Sequence, residues 1–126
     1  MTPHRQQVDD FIGEYIDSVP HLEALLLLWR EQRETWTADS VAHRLWINPD
    51  HAKALLQDLI RADLVHAVPG TEHYRYSPHP SRDELMRAVD SAYRRDMIQI
   101  SKMIHSKASS PVRAFARAFR FKKEQD

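Results

Sequence analysis

A chain of 126 residues is long enough for one domain with a core, and the absence of cysteine excludes a disulfide framework and a thiolate metal site. Two glycines leave no phosphate-cradling loop and no nucleophile elbow, so enzymatic chemistry is not expected. Net charge is zero but unevenly spread: residues 1–92 carry nine Lys/Arg against fifteen Asp/Glu, and residues 93–126 carry nine against three. A protein that does nothing but grip nucleic acid is usually more basic overall. The basic end either supplies phosphate contacts or pairs with the acidic body of its own or a partner chain.

The start, MTPHRQQVDD, is polar throughout and unlike a signal peptide. Thr2 and Pro3 read as an N-cap and first helical residue. Val8, Phe11, Ile12, Tyr15 and Ile16 then share a stripe, which predicts an amphipathic helix to residue 17. Gly13 inside it costs about 1 kcal/mol relative to alanine, and close approach of another helix would account for it. Ser18 and Pro20 restart a helix to residue 33, apolar nearly all round through Leu22 and Leu25 to Trp29. Such a helix is buried on more than one side, so either the N-terminal helix or a C-terminal one must cover its far face. Its apolar run is far shorter than the ~20 residues of a membrane span, and a cytoplasmic protein is expected.

Thr37 caps a short helix with Val41, Ala42 and Leu45 on one face. The chain turns at 46–48, where Asn48 is a good N-cap and Pro49 sits at the position that needs no amide hydrogen. A second helix over about 49–62 puts Ala52, Leu55, Leu56, Leu59 and Ile60 on one side. Two short helices joined by a tight turn make a helix-turn-helix. Residues 65–68 and 73–77 are rich in β-branched and aromatic side chains, and Pro69-Gly70 between them suits a type II turn, so a small hairpin is expected.

This order of elements resembles the winged helix-turn-helix transcriptional regulators, in the broad MarR/ArsR-like sense, across roughly residues 20–80. The resemblance implies a winged helix with a small β-hairpin. Together with the helices that the apolar spacing predicts on either side, the fold class expected is mainly α, with an extra N-terminal helix and a long C-terminal helix. The resemblance also implies a sequence-specific regulator bound to double-stranded DNA. In that use the second helix of the motif enters the major groove with its N-terminal residues at base edges. The stripe opposite its apolar side carries Asp50, Ala54, Gln57 and Arg61, with Lys53 on one edge and His51 and Asp58 on the other. Gln57 suits adenine, Lys53 guanine, and Asp50 a cytosine amine. Arg61 and Arg44 suit phosphates, the amides following Thr37 form a further anion site, and His73 and Arg75 belong to the wing. Because acids balance bases on this face, the alternative is a protein-interaction adaptor without DNA specificity.

Beyond Pro78 and Pro80, Ser81 and Glu84 have capping-box spacing, and no breaker follows until about residue 106. The apolar seam from Leu85 to Ile104 would make one helix about 37 Å long. Such a helix overhangs its own domain, so a homodimer through it is expected. After a linker, residues 110–121 form a short basic helix with Phe115 and Phe119 on one face. That helix would pack on the dimer or enter a partner groove, with no membrane role expected. The divisions expected are 1–17, 18–80 and 81–126. Eight histidines lack HxxxH spacing and any cysteine partner, so neither metal nor cofactor is expected.

Overall fold

The structure, a computed structural model, describes residues 4–108. The Thr2-Pro3 cap and the basic helix expected at 110–121 lie outside the described residues. Six helices and one hairpin follow in the order α1 (Arg5–Tyr15), α2 (Val19–Arg30), α3 (Ala38–Leu45), α4 (Pro49–Arg61), β1 (Val65–Ala67), β2 (Tyr74–Tyr76), α5 (Asp83–Arg95) and α6 (Met97–Ala108).

The centre of the molecule is α2. Ser18 Oγ accepts from the His21 N–H at its start, and every residue from Ala24 to Leu28 is buried. It packs against α3, α4 and β2 on one side and α5 on the other, so the partner required by its all-round apolar surface is α5. Helix α1 lies over α5 and α6 in turn, burying Val8, Phe11 and Ile12. At Gly13 an added Cβ would stand 2.7 Å from Lys107 Nζ, so the neighbour beside the glycine is the flexible end of an α6 side chain and not the backbone of that helix.

The helix-turn-helix forms for the reasons its sequence offers. Thr37 Oγ1 accepts from the Ser40 N–H at 3.0 Å, and Ser40 Oγ accepts from the Thr37 N–H at 2.9 Å. Asn48 Oδ1 accepts from the His51 N–H at 2.7 Å, with Pro49 at the first helical position. Helix α4 ends in a Schellman turn: Asp63 takes φ 63°, and the Asp63 and Leu64 amides donate to Ile60 and Leu59 carbonyls at 2.9 and 3.0 Å. This reverses the chain directly into β1.

The hairpin pairs Val65 with Tyr76, His66 with Arg75 and Ala67 with Tyr74. Its turn closes through Thr71 N–H to Val68 O at 3.2 Å, with Gly70 at φ 76° as a type II turn requires. Trp36 adds a bridge on the outer side of Tyr74, exchanging amide and carbonyl at 2.9 and 2.6 Å. The loop before α3 thereby becomes a one-residue third strand, which a single tryptophan could not announce in the sequence.

Two local expectations are corrected. The run expected as one helix over 81–106 is two helices meeting at Asp96, where the backbone turns to φ −128°, ψ 44°. Asp96 closes α5 by donating its N–H to Ala92 O, opens α6 by accepting from the Ile100 N–H, and binds Arg5 of α1 through its carboxylate at 2.9 Å. An ion pair between residues distant in the sequence thus holds the aspartate at the helix break. The Ser81–Glu84 box does not form, because α5 starts at Asp83 with Arg82 as its cap, leaving Glu84 one position short of reaching back. Ser81 Oγ instead meets His79 Nδ1 at 2.7 Å.

Candidate nucleic-acid interface

Helix α4 rests on α2 and α3 through Ala52, Leu55, Leu56 and Leu59, all buried. The opposite stripe is open: Asp50, Lys53, Ala54, Gln57 and Arg61 are all exposed, as is His51 beside them. These residue types form one outward polar face because their spacing follows the helical period and the apolar set occupies the other side. Asp50 stands in the first turn, where a carboxylate complements the helix dipole.

The cations on and around this face are engaged to different degrees. Lys53 makes no ion pair among the described residues, so its ammonium is free to meet a ligand. Arg61 pairs with Asp58 three residues earlier, half of its side chain remaining exposed. Arg44 on α3 lies over the Trp36 ring at 5.4 Å and reaches Glu31 at 3.2 Å. Both arginines are on the surface, where such pairs contribute little and exchange readily for a phosphate.

Asp58 links the face to the core helix. His21 Nε2 donates to its Oδ2 at 2.8 Å, while the Ser18 hydroxyl meets His21 Nδ1 at 2.5 Å. Burial by itself raises the Asp58 carboxyl, but hydrogen bonds from His21 and Arg61 outweigh it and hold the group below the ordinary aspartate value. The angle at which α4 crosses α2 is therefore fixed by a polar clamp as well as by leucine packing.

Three residues read from the sequence as DNA contacts have other work in the fold. Thr37 is half-buried, and its hydroxyl is the cap of α3. Arg75 is half-buried and donates to the Gln32 carbonyl at 3.0 Å, so it ties the wing to the loop after α2. His73 is also half-buried, with Nδ1 2.9 Å from Thr35 Oγ1. On the wing, His66 and Ala67 are the exposed strand residues, with His66 Nδ1 2.9 Å from Ser77 Oγ.

Trp46 was not singled out by sequence reasoning and is the most exposed large apolar residue described, at 94 %. It occupies the turn between α3 and α4 with φ 60° and ψ 41°, and the Ile47 N–H reaches past it to Ala42 O at 3.1 Å. Glycine usually fills that left-handed position, and a side chain with Cβ costs roughly 1 kcal/mol there. The available signal was its place: a tryptophan just before the Ile-Asn-Pro start of α4 belongs to the face of neither helix.

Behind α3 a cleft of about 210 Å³ is lined by Glu23, Leu26, Leu27, Arg30, Arg44, Leu45 and Tyr93. Burial and the neighbouring Glu23 push the Tyr93 phenol above its ordinary value. Among the described residues no group of three His, Asp or Glu side chains could hold a metal ion. No helix among them is long and apolar enough to cross a membrane.

The fold has solved counterparts. It is similar to that of MepR, a transcription regulator of the Staphylococcus aureus multidrug efflux pump MepA, with a TM-score of 0.52 and 18 % identity. The similarity covers 96 % of this chain and 87 % of MepR. A glutamine-to-proline mutant of MepR from a multidrug-resistant S. aureus clinical isolate gives a TM-score of 0.50 at 17 % identity, over 96 % of this chain and 86 % of the mutant. A scan of protein-family models and a search of curated proteins gave no match. The chain thus has a winged-helix fold, resembling MepR along nearly its whole length.

Proposed function

We propose that the chain is a sequence-specific DNA-binding transcriptional regulator of the MarR/ArsR-like kind, acting as a homodimer. In this reading α4 enters the major groove and the hairpin at 65–77 lies along the flanking backbone. One observation carries it: α4 is held by its apolar side and by the His21–Asp58 bond at one edge, and it offers Asp50, Lys53, Gln57 and Arg61 together on an open face. The function of MepR as a transcription regulator supports the same conclusion. Gln57 and Lys53 read base edges, and Arg61 and Arg44 exchange their carboxylate partners for phosphates. Two copies joined through their C-terminal helices present two such faces, to half-sites about 34–36 Å apart. Exposed Met97 and Ile98 at the start of α6 are the apolar surface offered to the second copy.

A protein-interaction adaptor is the second reading, favoured by the pairing of Arg44 and Arg61 with Glu31 and Asp58. Titration of fragments containing the protein's own promoter separates the two. DNA binding requires a steep fall of log K with log salt, lost in the Lys53→Ala, Gln57→Ala, Arg61→Ala triple variant. Absence of a complex at low salt would overturn the DNA reading in favour of the adaptor.

A further inference from the structure

We infer that Trp46 is a DNA-backbone contact, its ring laid against a deoxyribose and its indole N–H given to a phosphate oxygen beside the groove that α4 enters. The inference rests on the DNA-binding reading above and adds to it a residue of a different chemical kind. Three observations lead to it.

The first is conformational. At φ 60° the backbone of residue 46 is one that glycine takes freely and tryptophan does not. The turn itself needs nothing from the side chain, since the Trp46 and Ile47 amides both donate to the Ala42 carbonyl. The second is exposure. Trp36 is buried and Trp29 half-buried, but Trp46 is 94 % exposed, and among the described residues it has no packing that would offset its backbone conformation. Folding alone would favour glycine here on both counts.

The third is place. Trp46 stands two residues before the Asn48 cap of α4, on the edge continuous with exposed Asn48, Pro49, Asp50 and Lys53. In a helix-turn-helix the first helix crosses the backbone while the N-terminus of the second meets base edges, so the turn between them faces the groove wall. That wall offers apolar sugar and an acceptor oxygen, which match a flat ring with a single N–H donor. The face is short of free cations, Arg44 and Arg61 being paired, and an uncharged anchor adds affinity without a further charge.

The test uses a duplex carrying the protein's own promoter and an unrelated duplex of equal length, each titrated by fluorescence anisotropy at several salt concentrations. Trp46→Gly weakens binding to both duplexes by the same factor, roughly 5- to 100-fold, the range of one aromatic contact. The slope of log K against log salt stays unchanged, because no counterion is released to an uncharged side chain. Trp46→Phe, which keeps a ring and lacks the N–H, falls between the two. Glycine relieves the backbone at this position, so Trp46→Gly melts no lower than the parent and lost affinity does not report lost folding. Undiminished binding by Trp46→Gly would overturn the inference and leave the DNA reading standing. A loss confined to the promoter duplex would overturn it in favour of base reading, and a smaller mass of Trp46→Gly in light scattering would assign the ring to contact between copies. Failure of the parent protein to bind either duplex would remove both.

Discussion

His21 Nε2 donates to Asp58 Oδ2 at 2.8 Å, and this bond ties the outward-facing helix α4 to the core helix α2. Removing the acceptor in Asp58→Ala leaves a mostly buried imidazole and a surface guanidinium without their shared partner. A loss of about 1 kcal/mol is expected in urea unfolding at pH 7, the low end for a charged hydrogen bond because Asp58 is 38 % exposed. The pH dependence follows from the sign of the shift. Since the folded carboxyl lies below its unfolded value, its contribution is complete above about pH 4 and fades as pH falls through the folded value. The acid limb of the stability curve flattens in Asp58→Asn; an unaltered limb contradicts the clamp.

Gln57 is exposed at the middle of the α4 stripe with no competing role in the fold. Gln57→Ala is expected to weaken binding to the promoter duplex by roughly 1–3 kcal/mol and to leave binding to unrelated DNA unchanged. Lys53→Ala at the same face also lowers the salt slope by about 1, which Gln57→Ala does not. Competition titrations at two salt concentrations measure both quantities.

Arg75 looked like a wing residue for DNA, yet its guanidinium holds the Gln32 carbonyl. Arg75→Ala is therefore expected to cost about 1 kcal/mol of stability, with faster amide exchange at Tyr74 and Tyr76. Its direct effect on DNA affinity is smaller than that of Lys53→Ala. A large affinity loss with unchanged exchange rates would return Arg75 to the DNA surface.

Met97 and Ile98 are 51 % and 71 % exposed at the start of α6, whereas Ile100 and Ile104 on the same helix are buried within the chain. Ile98→Glu is expected to halve the mass seen by light scattering at micromolar concentration while keeping the helical circular dichroism of the parent. An unchanged dimer mass would place the interface elsewhere.

Most of the architecture was legible because it rests on local chemistry. The Thr37 and Asn48 caps, the Pro49 start, the apolar spacing of Ala52, Leu55, Leu56 and Leu59, and Gly70 in the wing turn all act within a few residues. What escaped depends on distant partners. The break at Asp96 is held by Arg5, ninety-one positions away, and the Trp36 bridge needs Tyr74. The His21–Asp58 clamp spans thirty-seven positions. The site divides in the same way: the α4 stripe follows from helical period, while the inward turn of Arg75 depends on where the loop after α2 lies. Trp46 was hidden for another reason, since periodicity ranks residues by helix face and a turn has none.

The position of α1 orders events during synthesis. Its apolar side, Val8, Phe11, Ile12 and Ile16, leaves the ribosome well before the helices that cover it, α5 and α6. At about 5–20 residues per second the wait is roughly 5–20 s. During that interval the nascent chain carries an unshielded stripe, open to holdase chaperones or to a neighbouring chain on the same polysome. The length of that window is set by the span of chain between α1 and the helices that pack on it, and a longer insertion anywhere between them would widen it.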